Sequence, residues 1–206
     1  MKDFFVHQNG LCETQAIGKG TKIWAFAHVM NGAEVGANCN ICDHAYIEGG
    51  VQVGNDVTVK NQVMIFKGAS IGDGVFIGPG ASFTNDLYPR SPRLKGVPAL
   101  KNRYNDQDTY LQRTWVETGA SIGARAVILP GVTVGAFAMV GSQALVTQSV
   151  PPHALVVGVP ARQKGWVCFC GLRLASRGPT EWTCDCGEKF TLKEPGNLQA
   201  QRQPTR

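Results

Sequence analysis

Four cysteines near the C-terminus form two close pairs that could bind a metal ion. Cys168 and Cys170 form the first pair, Cys184 and Cys186 form the second, and thirteen residues separate the pairs. Each pair is followed by glycine, as in the knuckles of a zinc ribbon, in which four thiolates surround one ion. The usual knuckle has two residues between its cysteines, and here there is one. A structural zinc site and a metal-free ribbon held by aromatic packing are both compatible with this pattern.

Two histidines and two cations are further candidates for contact with a substrate. His28 and His44 are sixteen residues apart, and histidine is a common general base. Lys60 and Arg90 could bind a diphosphate or a carboxylate, to which a guanidinium in particular is well matched. Each of the four also has a structural interpretation, as a residue of a repeat or as a solvated surface charge.

A six-residue repeat must position these side chains. An apolar residue recurs at every sixth position, and the series resumes in a new phase beyond residue 115. Neither a helical period near 3.6 nor a simple strand alternation produces a strict period of six. The members of the series are Ile17, Ile23, Val29, Val35, Ile41, Ile47, Val53, Val59, Ile65, Ile71, Ile77, Phe83, Val116, Ile122, Ile128, Val134, Val140 and Val146.

The position three residues after each apolar member favours a tight corner. It is rich in glycine, asparagine and aspartate, which tolerate a positive φ. Each hexad is therefore predicted to be a short strand followed by a corner, and three hexads close one triangular coil. The sequence predicts an all-β fold, a parallel β-helix of about six coils and roughly 29 Å in height at the usual strand spacing.

The period breaks between Thr84 and Trp115. This segment has three prolines and five lysines or arginines before Tyr104, and so long an insertion is uncommon unless it has a function. Asn85 and Asp86 stand where the chain leaves the repeat. The Asn85 amide could donate a hydrogen bond to a developing oxyanion, or the residue could simply cap a corner.

Composition and charge exclude several classes of protein. The net charge of +5 suits an acidic ligand only weakly, and the cations form no stripe with interleaved aromatic residues, which argues against nucleic acid binding. The N-terminus resembles no signal peptide, and no segment approaches the ~20 apolar residues of a membrane span. We therefore expect a cytoplasmic protein with reduced cysteines.

The patterns divide the chain into three parts. Residues 1–163 are predicted to form the β-helix, with an inserted loop at residues 84–115. Residues 164–195 form a cysteine-rich, zinc-ribbon-like appendage, and residues 196–206 are expected to be a disordered tail, because their composition is polar.

Five strings resemble those of hexapeptide-repeat acyltransferases: IWAFAH (23–28), NICDHAYIE (40–48), VFIGPGASFTNDLYPRS (75–91), GASIGARAVILPGVTVG (119–135) and VVGVPARQ (156–163). The resemblance covers residues 10–166. Through IWAFAH, FTND and YPRS it narrows to N-acetyltransferases of nucleotide-linked 3-amino sugars. Two groups share these strings, one acting on UDP-2-acetamido-3-amino-2,3-dideoxy-glucuronate and the other on dTDP-3-amino-3,6-dideoxyhexoses. ICDH and FTND resemble the second group and GVPARQ followed by GW resembles the first, so the choice stays open.

The resemblance implies a left-handed β-helix, a homotrimer with active sites between neighbouring prisms, and a place in polysaccharide or glycan biosynthesis. The reaction would be attack of a neutral amine on the thioester of acetyl-CoA, which requires positioned reactants and a stabilised oxyanion. Asn85 is the expected catalytic residue. The departing thiolate, rather than a histidine, is expected to take the proton.

The remaining site residues are assigned from the same resemblance and from their chemistry. We expect the nucleotide sugar to contact His28, His44, Lys60, Asp86 and Arg90. We expect the phosphates of CoA to contact Arg162 and Lys164, and its pantetheine arm to contact backbone amides near Gly135 and Gly141. Loss of any zinc ion should leave catalysis largely intact, because the cysteines lie outside the region of resemblance.

Three other functions fit the repeat less well. A γ-type carbonic anhydrase shares the prism but needs three histidines on zinc, two of them a few residues apart, and the four histidines of this chain lack that spacing. A non-catalytic scaffold would have no need of the FTND segment. An acetyltransferase for another small-molecule acceptor, such as an antibiotic, would usually rely on a histidine base.

Overall fold

The computed structural model describes residues 3–106, 110–194 and 197–201. Its main body is a parallel β-helix with three faces, A, B and C, each of which is one sheet. The chain visits the faces in that order on every coil. In the regular coils, partners on one face are eighteen residues apart, as Ile23 and Ile41 are, which confirms that three hexads make one coil.

The strands are short, and each face is built from one strand per coil. Face A contains β1 (Phe5–Val6), β3 (Lys22–Ile23), β6 (Asn40–Ile41), β9 (Thr58–Val59), β12 (Phe76–Ile77), β15 (Ser121–Ile122), β18 (Met139–Val140), β20 (Ala154–Val157) and the antiparallel β21 (Arg162–Trp166). Face B contains β2 (Leu11–Cys12), β4 (His28–Val29), β7 (Tyr46–Ile47), β10 (Met64–Ile65), β13 (Ser82–Phe83), β16 (Val127–Ile128) and β19 (Leu145–Val146). Face C contains β5 (Glu34–Val35), β8 (Gln52–Val53), β11 (Ala69–Ile71), β14 (Thr114–Val116) and β17 (Thr133–Val134).

The predicted apolar series lines the interior. Ile23, Ile77 and Val134 are fully buried, and burial of such a side chain contributes about 1.5–3 kcal/mol. Strands this short are therefore stabilised by the interior and by the ladder to the next coil. Phe83, also buried, takes the aliphatic position in the coil from which the inserted segment departs.

The corners confirm the predicted positions and extend them. All ten predicted corner residues have a positive φ: Gly20, Gly32, Asn38, Gly50, Asp56, Gly68, Gly74, Gly80, Gly119 and Gly131. Bulky residues adopt the same conformation elsewhere, among them Phe26, His44, Phe137 and His153. Because positive φ is unusual for such side chains, these corners are held by their packing.

The β-helix has about eight coils, so the predicted six was too few. At the N-terminus Val6 pairs with Ile23, seventeen residues later. At the C-terminus Val140 pairs with Val156, sixteen residues later. A coil shortened by one or two residues keeps its ladder but loses the phase of the repeat, which hides it in the sequence. The eight parallel strands of face A span roughly 34 Å.

The inserted segment contains a helix that the sequence analysis missed, α1 (Pro98–Asn105), with proline at its first turn, where proline is favoured. Ile71 pairs with Val116, forty-five residues later instead of eighteen, so the insertion enters a single coil. No helix in the described part of the chain is long and apolar enough to cross a membrane.

The cysteine-rich appendage begins after Trp166. Strand β21, which ends at Trp166, still belongs to face A because it pairs with β20. The predicted boundary at residue 163 therefore falls inside a strand. The appendage is an antiparallel sheet of β22 (Ala175–Ser176), β23 (Glu181–Thr183), β24 (Lys189–Glu194) and β25 (Asn197–Ala200). The prediction of a disordered tail was wrong for residues 197–200, since Leu198 in β25 is buried; residues 196 and 202–206 lie outside the described residues.

Candidate active site

Asn85 lies at the edge between faces B and C, two residues beyond Phe83. The register of β13 with β10 places Asn85 level with Lys67 and Asp86 level with Gly68. Gly68 turns its corner with a φ of 97°, whereas neither Asn85 nor Asp86 has a positive φ. The chain therefore leaves the β-helix at Asp86, and Asn85 is the last residue on the regular path.

The backbone of Asn85 is also bonded to the returning end of the inserted segment. The Gln112 N–H donates to the Asn85 carbonyl oxygen over 3.3 Å, and Asn85 is half-buried. Since its φ is not positive, tolerance of a left-handed corner does not explain the asparagine. A side-chain amide on a backbone fixed in this way is suited to oxyanion stabilisation.

Asp86 holds the inserted segment to its point of departure. Its side chain is 10% exposed and accepts hydrogen bonds from Arg103 Nη2, from the Tyr104 hydroxyl and, over 2.8 Å, from the Tyr88 N–H. Arg103 Nη1 also donates to the Tyr88 carbonyl oxygen, at 2.7 Å. The Asp86 carboxylate is therefore bonded to donors within the inserted segment. Nothing in the sequence indicated the part played by Arg103 and Tyr104.

Arg90 belongs to the same region of the molecule. It is exposed on the inserted segment, and its backbone N–H donates to the Tyr104 hydroxyl over 3.0 Å. Asn85, Asp86 and Arg90 therefore form one group at the edge between faces B and C.

Lys60 and Gly141 lie on a different side of the prism. Each follows an inward-pointing residue of face A, and the register of that sheet aligns them in one column with Gly78 and Gly123. A cleft of about 280 Å³ opens on this face, lined by Gly123, Gly141 and Met139 among others. The amide of Gly141 donates to the Val156 carbonyl oxygen over 2.8 Å, so it is already used in the ladder.

Gly135 does not share this cleft. It follows β17 on face C, and its N–H donates to the Val150 carbonyl oxygen over 2.8 Å. A Cβ at this position would lie 2.5 Å from the Pro152 nitrogen, so the glycine is needed for the close approach of the last coil. The two glycines that were expected to hold the pantetheine arm together therefore lie on separate faces.

Arg162 and Lys164 lie at the C-terminal end of face A, on β21. Both are exposed, and Arg162 is paired with Val157 of β20. Residues directly opposite each other in a sheet point to the same side, so Arg162 points outward from face A, as Val157 does. The predicted coenzyme residues other than Gly135 are thus on one sheet with Lys60.

The two groups of residues occupy opposite sides of the chain. In a three-sided prism the edge between faces B and C lies across from face A. Asn85 is on that edge, and the cleft beside Gly141 is on face A. Within a single chain the two groups therefore face away from each other.

The two histidines lie on neighbouring coils, and the His28 N–H donates to the carbonyl oxygen of Ala45, the residue after His44, over 2.8 Å. His28 is on face B, with its Nε2 3.2 Å from Glu13 Oε1, although the alignment falls short of a hydrogen bond. The Asn31 N–H, and after it His28, hold the pKa of the Glu13 carboxyl below its ordinary value. His44 is exposed at the edge between faces A and B, where its ring lies 5.0 Å from that of Phe26.

The four cysteines of the appendage converge on one point, as expected for a metal site. Their sulfurs all lie within 4.8 Å of one another, and Cys168 to Cys186 and Cys170 to Cys184 are each 3.6 Å apart. Four sulfurs on a zinc ion at about 2.3 Å stand roughly 3.8 Å apart, so the cluster fits this ion.

The two knuckles have the same local structure. The N–H of Gly171 donates to the Cys168 carbonyl oxygen, and that of Gly187 donates to the Cys184 carbonyl oxygen. Burial raises the pKa of the Cys184 thiol. The pKa of the Cys186 thiol is lowered to about 7, mainly by the hydrogen bond from the Glu188 N–H. The single residue between the cysteines of each pair is therefore compatible with a knuckle turn.

An aromatic cluster joins the appendage to the last coils, a junction that the sequence analysis did not predict. The His153 ring stacks on Phe137 and meets Phe169 and Phe190 edge to face, with centroids 4.8–5.4 Å away. His153 Nδ1 donates to the Val167 carbonyl oxygen over 2.9 Å. Burial lowers the pKa of His153, so this histidine is a neutral part of the junction.

Comparison with known proteins agrees with the repeat. Residues 16–49 match the family described as bacterial transferase hexapeptide (six repeats), and residues 114–147 match the hexapeptide repeat of succinyl-transferase. The dTDP-3-amino-3,6-dideoxy-alpha-D-galactopyranose 3-N-acetyltransferase of Aneurinibacillus thermoaerophilus is 45% identical over 186 residues, which is 90% of each chain. This similarity is longer than the 10–166 region on which the sequence resemblance rested.

Two solved structures share the fold. AntD, an N-acyltransferase from Bacillus cereus in complex with dTDP and 3-hydroxybutyryl-CoA, has a TM-score of 0.52 at 18% identity and covers 78% of each chain. LpxA, a UDP-N-acetylglucosamine acyltransferase from Bacteroides fragilis, has a TM-score of 0.56 at 18% identity, covering 81% of this chain and 60% of its own. The identity to the Aneurinibacillus enzyme across nine-tenths of both chains shows that this chain belongs to the hexapeptide-repeat acyltransferases, in the family of nucleotide-linked amino-sugar N-acetyltransferases.

Proposed function

We propose that the protein transfers the acetyl group of acetyl-CoA to the 3-amino group of a dTDP-linked 3-amino-3,6-dideoxyhexose. The observation that carries the proposal is the 45% identity, over 90% of both chains, to an enzyme named for that reaction. Of the two acceptor groups that the sequence left open, this identity favours the dTDP sugars over the UDP-linked glucuronate. The product would serve the assembly of a glycan.

Asn85 acts on the thioester carbonyl. When the amine attacks, the carbonyl oxygen becomes an oxyanion, and the Asn85 amide donates a hydrogen bond to it. Loss of one such donor costs roughly 10²–10³ in turnover in other enzymes. The position of Asn85 supports this role, because its carbonyl oxygen is bonded to Gln112 and the adjacent Asp86 is anchored by three donors.

The thiolate of CoA, rather than a histidine, takes the proton from the amine. Along face B, His28 of β4 is three strands from β13, which is roughly 14 Å along the axis from the level of Asn85. His153 is buried in the junction. His44 lies on another edge of the prism, so it and His28 remain candidates for contact with the sugar nucleotide rather than for proton transfer beside Asn85.

The active site is shared between chains of a homotrimer. Because Asn85 and the face A cleft lie on opposite sides of one prism, a neighbouring copy must bring its cleft to the Asn85 edge. Exposed apolar side chains on each face, such as Phe76, Met64 and Trp115, support assembly, since such surfaces are best buried against another copy. Closed cyclic symmetry is the usual result for identical chains.

The face A cleft holds the coenzyme, with the pantetheine arm beside Gly141 and the phosphates toward Arg162 and Lys164. Lys60 and Arg90 supply positive charge for the diphosphate of the acceptor, one from each side of the shared site. The seven cysteines, all of them in the described residues, form no disulfide bond, which supports a cytoplasmic location.

The Cys168, Cys170, Cys184 and Cys186 cluster binds one structural zinc ion. The sulfur separations fit a tetrahedral ion, and a site with four protein ligands leaves no open position for catalysis. The ion would fix the two knuckles relative to each other and so stabilise the fold of the appendage.

The acceptor is tested by release of the CoA thiol from acetyl-CoA with three candidates. These are dTDP-3-amino-3,6-dideoxygalactose, its glucose epimer, and UDP-2-acetamido-3-amino-2,3-dideoxy-glucuronate. We expect transfer of one acetyl group to a dTDP sugar, checked by mass spectrometry of the product. Faster turnover of the UDP sugar would reverse the choice of acceptor, and no thiol release with any of the three would overturn the proposed function.

A further inference from the structure

The cleft on face A adjoins a second cavity. The second cavity has a volume of about 470 Å³, and Ser121 and Met139 line both spaces. Ligand sites commonly enclose about 300–1,000 Å³. The face A cleft alone, at about 280 Å³, is too small for a molecule the size of CoA, and the second cavity supplies the missing volume.

One wall of the second cavity is formed by the appendage. On the prism side it is lined by Gly119, Phe137 and Met139, and on the other side by the first knuckle, residues 168–171. A Cβ on Gly171 would lie 3.7 Å from Met139 Cε, so the knuckle and face A are in near contact across the cavity. Without the appendage this part of face A would be an open surface.

The junction holds that wall in place. Phe169, inside the first knuckle, packs edge to face against Phe137 at 4.7 Å and against His153 at 4.8 Å. The Val167 N–H, directly before the knuckle, donates to the His153 carbonyl oxygen over 2.7 Å. The position of the knuckle over face A is therefore fixed by both packing and hydrogen bonds.

The lining of the cavity selects for an uncharged portion of a ligand. Met139, Phe137 and Phe169 supply apolar surface, and two carboxylates, Asp56 and Asp73, lie at the prism side. Carboxylates near a phosphate are repulsive, so the phosphates belong elsewhere, toward Arg162 and Lys164 at the end of the same face.

We propose that the first cysteine knuckle forms one wall of the coenzyme site and holds an uncharged part of CoA against face A. This rests on the proposed function. It has a consequence for the metal, because an ion that fixes the knuckle also fixes this wall. Zinc and CoA should then stabilise each other's binding, since coupling between two sites is reciprocal. Zinc loss should therefore weaken the enzyme, contrary to the expectation drawn from the sequence.

Two glycines provide a matched pair of variants. Gly171 and Gly187 occupy the same position in the two knuckles, with φ of 85° and 96°. Only Gly171 faces the second cavity, whereas a Cβ on Gly187 would meet nothing within 4 Å. Asparagine tolerates positive φ better than other side chains, so Gly171→Asn and Gly187→Asn impose a similar backbone cost but only the first fills the cavity.

Calorimetric titration of the full-length, zinc-loaded variants with CoA tests the proposal. We expect Gly171→Asn to weaken CoA binding by about tenfold or more, with one metal per chain retained and dTDP-sugar affinity unchanged, and Gly187→Asn to bind CoA like the unaltered protein. Equal CoA affinities in the two variants would overturn the proposal while the proposed function stood. Failure of the unaltered protein to bind CoA would instead overturn the proposed function.

The link to the metal has its own measurement, which needs no turnover. Saturating CoA should slow the release of zinc to a chelator, followed by the colour of a metal indicator. An unchanged release rate would contradict the coupling. Cys184→Ser, which alters the second knuckle away from the cavity, should weaken CoA binding through loss of the ion, whereas Cys12→Ser, at the other end of the prism, should not.

Discussion

Arg103 of helix α1 donates a hydrogen bond to the carboxylate of Asp86, seventeen residues earlier in the chain. Asp86 is the residue at which the chain leaves the β-helix, and Arg103 is near the end of the helix that the insertion contains. No residue of α1 is buried, so this contact, with that of Tyr104 to the same carboxylate, fixes the inserted segment next to Asn85.

Replacing Arg103 should loosen the segment without unfolding the prism. Arg103→Ala leaves the largely buried Asp86 carboxylate short of a donor, at a cost of about 1–3 kcal/mol. We expect a higher KM for the nucleotide sugar and a lower turnover rate, with an unchanged Kd for CoA. Lys101→Ala, in the same helix and exposed, is the control. Equal kinetics for the two variants would refute a positioning role for Arg103.

Replacing Asn85 tests the chemical step. Asn85→Ala should lower kcat by about a hundredfold or more, with little change in the binding of either substrate, because the contact strengthens only in the transition state. Asn85→Asp should be as damaging, since a carboxylate repels the oxyanion. Asn31→Ala, at the same edge position three coils earlier, is the control. Near-normal turnover by Asn85→Gly would exclude a catalytic role for the side chain.

Mixing two inactive variants tests whether the site is shared. One chain carries Asn85→Ala, which removes the edge residue. The other chain carries Ser121→Phe, which fills the face A cleft. In trimers assembled at random from equal amounts, about one site in four combines an intact edge with an intact cleft. We expect activity near a quarter of the unaltered level after refolding together, and none for either variant alone. Sedimentation that shows a stable monomer at micromolar concentration would contradict the shared site outright.

Metal content tests the cysteine cluster. The purified protein should contain one zinc ion per chain, lose it to strong chelators, and melt at a lower temperature afterwards, because binding energy at such a site is folding energy. Cys184→Ser should abolish the binding, whereas Cys39→Ser, inside the prism, should leave it intact. Absence of metal after expression in zinc-supplemented medium would show that the appendage folds without it.

His153 should make the junction sensitive to acid. Its pKa is lowered in the folded protein by burial, while an unfolded histidine titrates near about 6.5. The unfolded state therefore binds more protons below that pH, and stability falls as the pH drops from about 6.5 toward the folded pKa. We expect His153→Asn, which tolerates the φ of 61°, to show a smaller fall in melting temperature between pH 7 and pH 5.5. Parallel curves for the two proteins would contradict this.

The fold could be predicted from the sequence because its rule is local. Each hexad carries an inward apolar residue such as Ile41 and a corner residue such as Gly50, and both requirements recur along the chain without reference to distant residues. The cysteine pairs could also be recognised from the sequence as a candidate metal site, since closely spaced sulfur ligands have few uses other than metal binding. Asn85 became a candidate because it stands where the repeat stops and because the family resemblance points to it.

The tertiary structure decided everything that depends on which coil lies beside which. Shortened coils at both ends lose the six-residue phase while the ladder of Val6 with Ile23 persists, so the sequence undercounted them. Asp86 and Arg103 meet because the insertion folds back over its own origin, and no spacing rule encodes that return. Gly135 and Gly141 stand one hexad apart and so lie on successive faces, as the repeat requires, but only the structure shows that the cleft lies beside Gly141. The knuckle that closes over Met139 likewise exists only after the appendage has docked, because its wall is made by packing between distant parts of the chain.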